Sequence, residues 1–115
     1  MTHNKFNSFK DFYPYYLTEH GNIQCRRLHY FGSSLVILFT IGVIVTQSWA
    51  LLWLLPIMGY GPAWIGHFFF EKNKPATFQY PLYSFLSDWI MLKDAATGQL
   101  TQKLELAKQR YTLNN

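Results

Sequence analysis

A central stretch without charged side chains limits what this chain can fold into. All ten lysines and arginines and all six aspartates and glutamates lie outside residues 28–70. Charged residues make up 14% of the chain, whereas a soluble domain carries about 25%. The mean hydropathy of -0.03 averages this apolar centre with two polar ends. The pattern therefore predicts a centre embedded in a membrane rather than a soluble core.

The apolar centre is long enough to cross a bilayer twice. About 20 apolar residues in a helix cover the hydrocarbon core, and residues 28–47 and 49–70 each reach roughly that length on either side of a polar break. Two prolines and two glycines, between Pro56 and Pro62, predict a kink or break in the second stretch. We therefore expect an all-α integral membrane protein, a two-span helical hairpin with a broken second span. The alternative, a helix pair buried in a soluble protein, needs covering layers that a chain of 115 residues cannot supply.

The basic residues that flank the hairpin indicate its orientation. Arg26 and Arg27 precede the first span, Lys72 and Lys74 follow the second, and the connection between the spans carries no Lys or Arg. By the positive-inside rule both termini face the cytoplasm. We expect a multi-pass protein, in the inner membrane if the chain is bacterial. The net charge of +4 is then explained by contact with anionic lipid head groups and needs no nucleic acid.

The remaining segments are expected to flank the hairpin within a single membrane domain, residues 1–115. Residues 1–27 form a cytoplasmic or interfacial leader with a short aromatic helix. Residues 71–96 form an interfacial or re-entrant segment, in which a third span over residues 77–92 stays open. Residues 97–115 form a cytoplasmic amphipathic tail helix. Its predicted apolar face consists of Leu100, Leu104, Ala107 and Tyr111.

Three of the four histidines are predicted to converge. His29 lies at the cytoplasmic end of the first span and His67 at the same end of the second, so an antiparallel hairpin brings them to one depth. His20 precedes His29 by a short polar stretch with a turn and can fold back onto them. Glu71 follows His67 by four residues and shares its face if the helix continues. His3 belongs to a terminus that we expect to be frayed, and we discount it.

Imidazoles with a carboxylate are ligands for a redox-active or Lewis-acid metal, with iron and zinc the leading choices. Glu19 and Asp88 are candidates to ligate the metal or to orient a histidine. Two alternatives stay open on the residues alone. The histidines are interfacial side chains of a non-catalytic membrane interaction or scaffold protein, or His29 and His67 bind a b-type haem. The haem alternative ranks lower because both residues lie near the ends of the spans.

Three residues near the start of the first span carry weaker signals. The single cysteine, Cys25, has no partner for an internal disulfide and is expected to be an inert thiol. Arg26 and Arg27 already have a role in topology. A second role, binding the carboxylate of an acidic lipid, is compatible with the geometry of a guanidinium group.

Three stretches of the sequence resemble a known membrane family with bacterial, plant and fungal members. They are residues 16–20 (YLTEH), 27–32 (RLHYFG) and 66–76 (GHFFFEKNKPA), of which the third is the most specific. The characterised fungal member of that family is an iron(II)-dependent dioxygenase of 2-hydroxy fatty acids. It looks longer than this chain, with extra membrane segments between the second and third stretches.

The resemblance implies a bacterial Fe(II) dioxygenase that shortens 2-hydroxy fatty acids by one carbon in α-oxidation. The family's metal ligands fall on His20, His29 and His67, and Glu71 matches the glutamate of the third stretch, so these four are the expected catalytic residues. Glu19, Arg26, Arg27 and Asp88 are the expected surrounding or substrate-binding residues. The expected partners are the bilayer, the 2-hydroxy fatty acid and O2, with a homodimer as a further expectation. Zinc, or no metal at all, is the alternative to iron.

Overall fold

The computed structural model describes residues 6–113, and every regular element in that range is helical. The α-helices are α1 (Phe9–Thr18), α2 (Ile23–Thr46), α3 (Leu55–Ile65), α4 (Pro81–Ala96) and α5 (Leu100–Leu113). Shorter elements are 3-10 helices at Trp49–Leu54 and Ala76–Phe78 and a π-helix at Gly66–Glu71. The all-α prediction is confirmed for the described residues. His3 and the start of the predicted leader lie outside them.

The described chain forms two compact units. The central unit is Asn22–Pro75, and the terminal unit consists of the described parts of Met1–Gly21 and Ala76–Asn115. The first boundary lies in the short connection between α1 and α2, and the second lies in the loop after the π-helix. Both boundaries lie in connections between helices rather than at the ends of the apolar stretch.

In the central unit, α2 begins five residues before the predicted span. Asn22 is the N-cap: its side-chain oxygen accepts hydrogen bonds from the backbone N–H groups of Gln24 at 2.8 Å and Cys25 at 3.3 Å. These bonds satisfy two of the donors that a helix start leaves open. The polar residues 23–27 therefore belong to the helix, which places Cys25 in its first turn.

Among the described residues, α2 is the one helix long and apolar enough to cross a membrane. Its most apolar 18-residue window has a mean hydropathy of 2.0 and is only 22% buried, whereas the core helix of a soluble protein is mostly buried. The exposed side chains are large and apolar, with Leu38 and Val45 at 67% and 75% exposure. These features support one membrane-spanning helix.

The predicted second span, residues 49–70, is divided among three kinds of helix. A 3-10 helix is followed by α3 and then by the π-helix. The divisions do not fall between Pro56 and Pro62, where the sequence predicted them. Pro56 lies in the first turn of α3, where a helix needs no N–H donor, and Pro62 lies inside α3. A second span is therefore not established by helix length.

The return segment nevertheless packs against α2 in the antiparallel direction. A Cβ atom added to Gly32 would lie 2.9 Å from the carbonyl oxygen of Gly59, and one added to Gly66 would lie 2.9 Å from Cys25 Sγ. A residue later in α2, Gly32, thus contacts an earlier residue of the return segment, Gly59, whereas Cys25 contacts the later residue Gly66. The absence of a side chain at Gly32 and Gly66 allows the two backbones to approach this closely.

The terminal unit is built from α1, α4 and α5. The predicted apolar face of α5 is confirmed for the three residues Leu100, Leu104 and Ala107, which are buried. Lys103, whose side chain is 38% exposed, also contacts α4: its ammonium group binds the buried carboxylate of Asp94. A charged contact thus joins α4 to α5.

Candidate metal centre

Two imidazoles face each other in the central unit. The Nε2 atoms of His29 on α2 and His67 on the π-helix are 3.2 Å apart, and both side chains are buried. Two ligands on opposite sides of an ion, each bound at about 2.0–2.1 Å, lie about 4 Å apart. The observed separation instead suits neighbouring ligands of one ion. It argues against a haem held between these two histidines.

The imidazole of His67 is fixed by Asn73. Its Nδ1 atom lies 2.7 Å from Asn73 Oδ1, and the backbone N–H of Asn73 donates to the carbonyl oxygen of His67 at 3.0 Å. Lys72, between them, adopts a left-handed conformation with φ of 59°, which is uncommon for a residue other than glycine. Because an amide oxygen only accepts, Nδ1 carries the proton and Nε2 keeps its lone pair.

His20 is fixed in a similar way by α1, the helix that precedes it. Its Nδ1 atom lies 2.6 Å from the carbonyl oxygen of Tyr16, and its ring stacks on the Tyr16 ring with centroids 4.0 Å apart. A carbonyl oxygen is an acceptor, so Nδ1 carries the proton and Nε2 is the nitrogen left for a metal. Histidines that bind metals characteristically donate their second N–H group in this manner.

Cys25 completes a group of four side chains that could hold a metal ion. The ligand atoms of His20, Cys25, His29 and His67 all lie within 4.8 Å of one another, and all four residues are buried. Cys25 and His29 share a face of α2 because they are four residues apart. His20 stands two residues before the N-cap Asn22, so chain connectivity alone keeps it near the start of α2.

This donor set fits a transition metal. Neutral imidazole nitrogens and a thiolate are soft to borderline ligands that suit iron, zinc and copper better than magnesium or calcium. The group lacks a carboxylate, which hard cations require. The geometry therefore supports a site that could hold a transition-metal ion.

The other predicted site residues lie around this group rather than in it. The Glu71 carboxylate accepts a hydrogen bond from the backbone N–H of Asn22 at the start of α2, where the helix dipole favours a negative charge. Asp88 accepts a hydrogen bond from the Tyr16 hydroxyl, and the Tyr16 ring stacks on His20. Glu19 is the C-cap residue of α1.

The two predicted arginines lie in the first turns of α2. Arg26 is half-buried and hydrogen-bonds to Tyr30, one turn further along the helix. Arg27 is exposed. Neither belongs to the group of candidate ligands, and Arg27 has the more accessible guanidinium group.

Sequence reasoning missed two residues of this centre. Cys25 was expected to be inert, although its spacing of four residues from His29 was visible in the sequence. Asn73 lies within the third motif, but nothing in its local sequence indicates that its amide binds His67. A left-handed turn at Lys72 brings Asn73 back to His67. Because Lys72 is not a glycine, the sequence does not predict this turn.

Comparison with known proteins identifies the family of the chain. No curated protein and no solved structure matches it. A family model described as 2-hydroxy-palmitic acid dioxygenase Mpo1-like matches residues 6–100, a range that includes the three histidines, Cys25 and Asn73. The chain therefore belongs to the Mpo1-like family, as its three sequence motifs had indicated.

Proposed function

We propose that this chain is an Fe(II)-dependent dioxygenase that shortens 2-hydroxy fatty acids by one carbon at the cytoplasmic face of the membrane. The observation that carries the proposal is the buried group of three imidazoles and one thiol in a member of this family. Bound Fe(II) would supply the redox chemistry with O2 that amino-acid side chains lack.

The residues of the chain have distinct roles in this proposal. His20, His29 and His67 hold the ion, and Asn73 and the Tyr16 carbonyl fix two of the rings. Burial of the group keeps bulk water away from the reacting atoms. The exposed Arg27, and Arg26 next to it in the sequence, bind the substrate carboxylate at the head-group level. Glu71 stabilises the start of α2 and thereby the position of Cys25 and His29.

The fatty tail of the substrate has an apolar environment close to His67. The residues that follow it on the π-helix, Phe68, Phe69 and Phe70, are 49%, 69% and 43% exposed. Such exposed aromatic side chains are suited to lipid tails rather than to water. A 2-hydroxy acid can thus keep its tail among apolar side chains while its polar head meets the metal.

A structural zinc site is the second candidate function, and one observation favours it. Four side-chain ligands within 4.8 Å of one another match the number that closes a tetrahedral zinc site. A protein with such a site would bind zinc tightly and would have no oxygen-consuming activity. The scaffold alternative, in which the histidines are interfacial, has instead no bound metal after gentle purification in detergent.

The test is oxygen consumption by the purified protein, loaded anaerobically with Fe(II) and supplied with 2-hydroxypalmitate. We expect turnover in the wild type and a fall to background in His67→Ala, because the variant loses a ligand. Ile57→Ala is the control: it alters an exposed apolar side chain on α3, outside the candidate site, and should retain iron and activity. An unchanged rate in His67→Ala would refute the assignment, and tight zinc without any turnover would favour the structural site.

A further inference from the structure

We infer that the thiolate of Cys25 is a fourth metal ligand, beside the three histidines. The inference extends the proposed function, since it requires that the centre binds an ion. Buried cysteines often serve only as small apolar side chains. Three independent features of the central unit distinguish Cys25 from that ordinary role.

The first feature is the position of Cys25 on α2. It is 0% exposed and lies one turn before His29, on the same face of the helix. The cap formed by Asn22 fixes its backbone, since the Asn22 side chain accepts the Cys25 N–H at 3.3 Å. The first turn of a helix also favours negative charge, and that is the charge of a ligating thiolate.

The second feature is the close approach of the π-helix. A Cβ atom on Gly66 would lie 2.9 Å from Cys25 Sγ and 3.0 Å from Cys25 Cα. Since the second of these atoms belongs to the backbone, any larger residue at position 66 would push the π-helix away from α2. Gly66 thus brings its neighbour, His67, into range of Cys25 and His29.

The third feature is the chemistry of the group itself. The sulfur lies with three imidazole nitrogens within 4.8 Å, and a thiol that coordinates a metal is deprotonated outright. A thiolate adds a negative charge to an otherwise neutral set of ligands, which favours a cation in this buried place. The fourth ligand also affects what the centre can do. It completes a tetrahedral zinc site, whereas a six-coordinate ion would keep two positions for other molecules.

X-ray absorption spectroscopy of the iron-loaded, full-length wild type tests the inference. We expect one sulfur scatterer at about 2.3 Å, the usual length of a bond between a thiolate and a metal of this size. Because Cys25 is the single cysteine, such a thiolate can come from no other residue of the chain. This measurement needs no variant, so it remains decisive even if a change at the buried position impairs folding.

Cys25→Ser provides the second measurement. It should lose the sulfur signal and weaken iron binding by more than the 10–100-fold typical of losing an outer hydrogen-bond partner. Ser33→Ala, a change of another buried residue on the same face of α2, should retain the signal. Iron bound through nitrogen and oxygen alone would overturn the role of Cys25 and leave the proposed function intact. Failure of the wild type to bind iron would overturn both.

Discussion

At the scale of single residues, the candidate centre depends on how its imidazoles are oriented. A neutral histidine presents one lone pair, and the hydrogen bond at its other nitrogen determines which atom carries it. Asn73 performs this function for His67 through its side chain while its backbone N–H binds the His67 carbonyl. Two bonds from one residue thus fix both the ring and the backbone of a candidate ligand.

Replacing Asn73 tests this orienting role. Asn73→Ala should weaken iron binding about 10–100-fold, because His67 loses the acceptor that keeps its proton on Nδ1. Asn73→Asp should bind iron at least as tightly as the wild type, since a carboxylate is also an acceptor. The measurement is competition with a chromogenic chelator. Lys74→Ala, at an exposed neighbour, is the control, and equal affinities in Asn73→Ala and wild type would exclude the role.

At the scale of helices, one carboxylate connects three elements of the terminal unit. Asp94 on α4 is 0% exposed, accepts a hydrogen bond of 2.8 Å from Tyr13 on α1, and binds Lys103 on α5 at 2.9 Å. Burial by itself raises the pKa of the Asp94 carboxyl, but the hydrogen bonds from Lys103 and Tyr13 outweigh it. Together with a smaller contribution from Lys93, they leave that pKa below its ordinary value of 3.8.

This arrangement predicts how stability depends on pH. A lowered pKa means that the folded state favours the ionised form of Asp94. The contribution of this carboxylate to the free energy of unfolding is therefore complete above the unfolded pKa of about 3.9. It is lost as the pH falls through the lower pKa of the folded state. At neutral pH, Asp94→Asn should therefore cost about 1.5–3 kcal/mol, the range for hydrogen bonds to charged groups. Below about pH 3.9 the difference from wild type should shrink. Thermal unfolding followed by circular dichroism measures both effects.

Asp11→Asn is the matched control for Asp94. The Asp11 carboxylate is 54% exposed and lies 3.7 Å from Arg110, and exposed pairs of this kind contribute little to stability. A loss of stability as large as that in Asp94→Asn would show that net charge, rather than the buried contact, determines the pH dependence. A difference in stability between wild type and Asp94→Asn that stays constant down to about pH 3 would lead to the same conclusion.

At the scale of the whole molecule, the lengths of the apolar segments determine how the chain could cross a membrane. With 24 residues at 1.5 Å each, α2 is about 36 Å long and exceeds a hydrocarbon core of about 30 Å. The 3-10 helix and α3, with 6 and 11 residues, together cover about 28 Å before the π-helix begins. The exposed side chains of this return segment include Trp53 and Ile57, at 68% and 61%. We propose that the segment crosses the membrane a second time.

A second crossing places both termini on one side of the membrane. By the positive-inside rule this side is the cytoplasm. In a bacterial host, fluorescent-protein fusions to either terminus should therefore fluoresce, because this reporter folds in the cytoplasm. An alkaline phosphatase fusion after Gln47 should be active, since that enzyme works only outside. Activity of the same phosphatase fused to the C-terminus would indicate a single crossing and contradict the hairpin topology.

The sequence alone was sufficient for features that depend on composition and on local periodicity. The charge-free stretch indicated α2, the spacing of Leu100, Leu104 and Ala107 indicated the buried face of α5, and the motifs around the histidines indicated the family. Each of these signals is carried by neighbouring residues, so no knowledge of packing was needed. Element boundaries were less accessible, because the cap at Asn22 extends α2 into a polar segment that hydropathy assigns to the leader.

Only the tertiary structure decided which side chains surround the candidate metal centre. The contact between Cys25 and Gly66, 41 positions apart in the sequence, depends on the register of two antiparallel segments, and hydropathy does not encode register. The role of Asn73 depends on a left-handed turn at Lys72 that the residue type disfavours. The charge-free stretch therefore indicated where the long apolar helix α2 and its return segment lie. The close approach of its two segments, made possible by glycine, decided that histidines and a cysteine meet at one point.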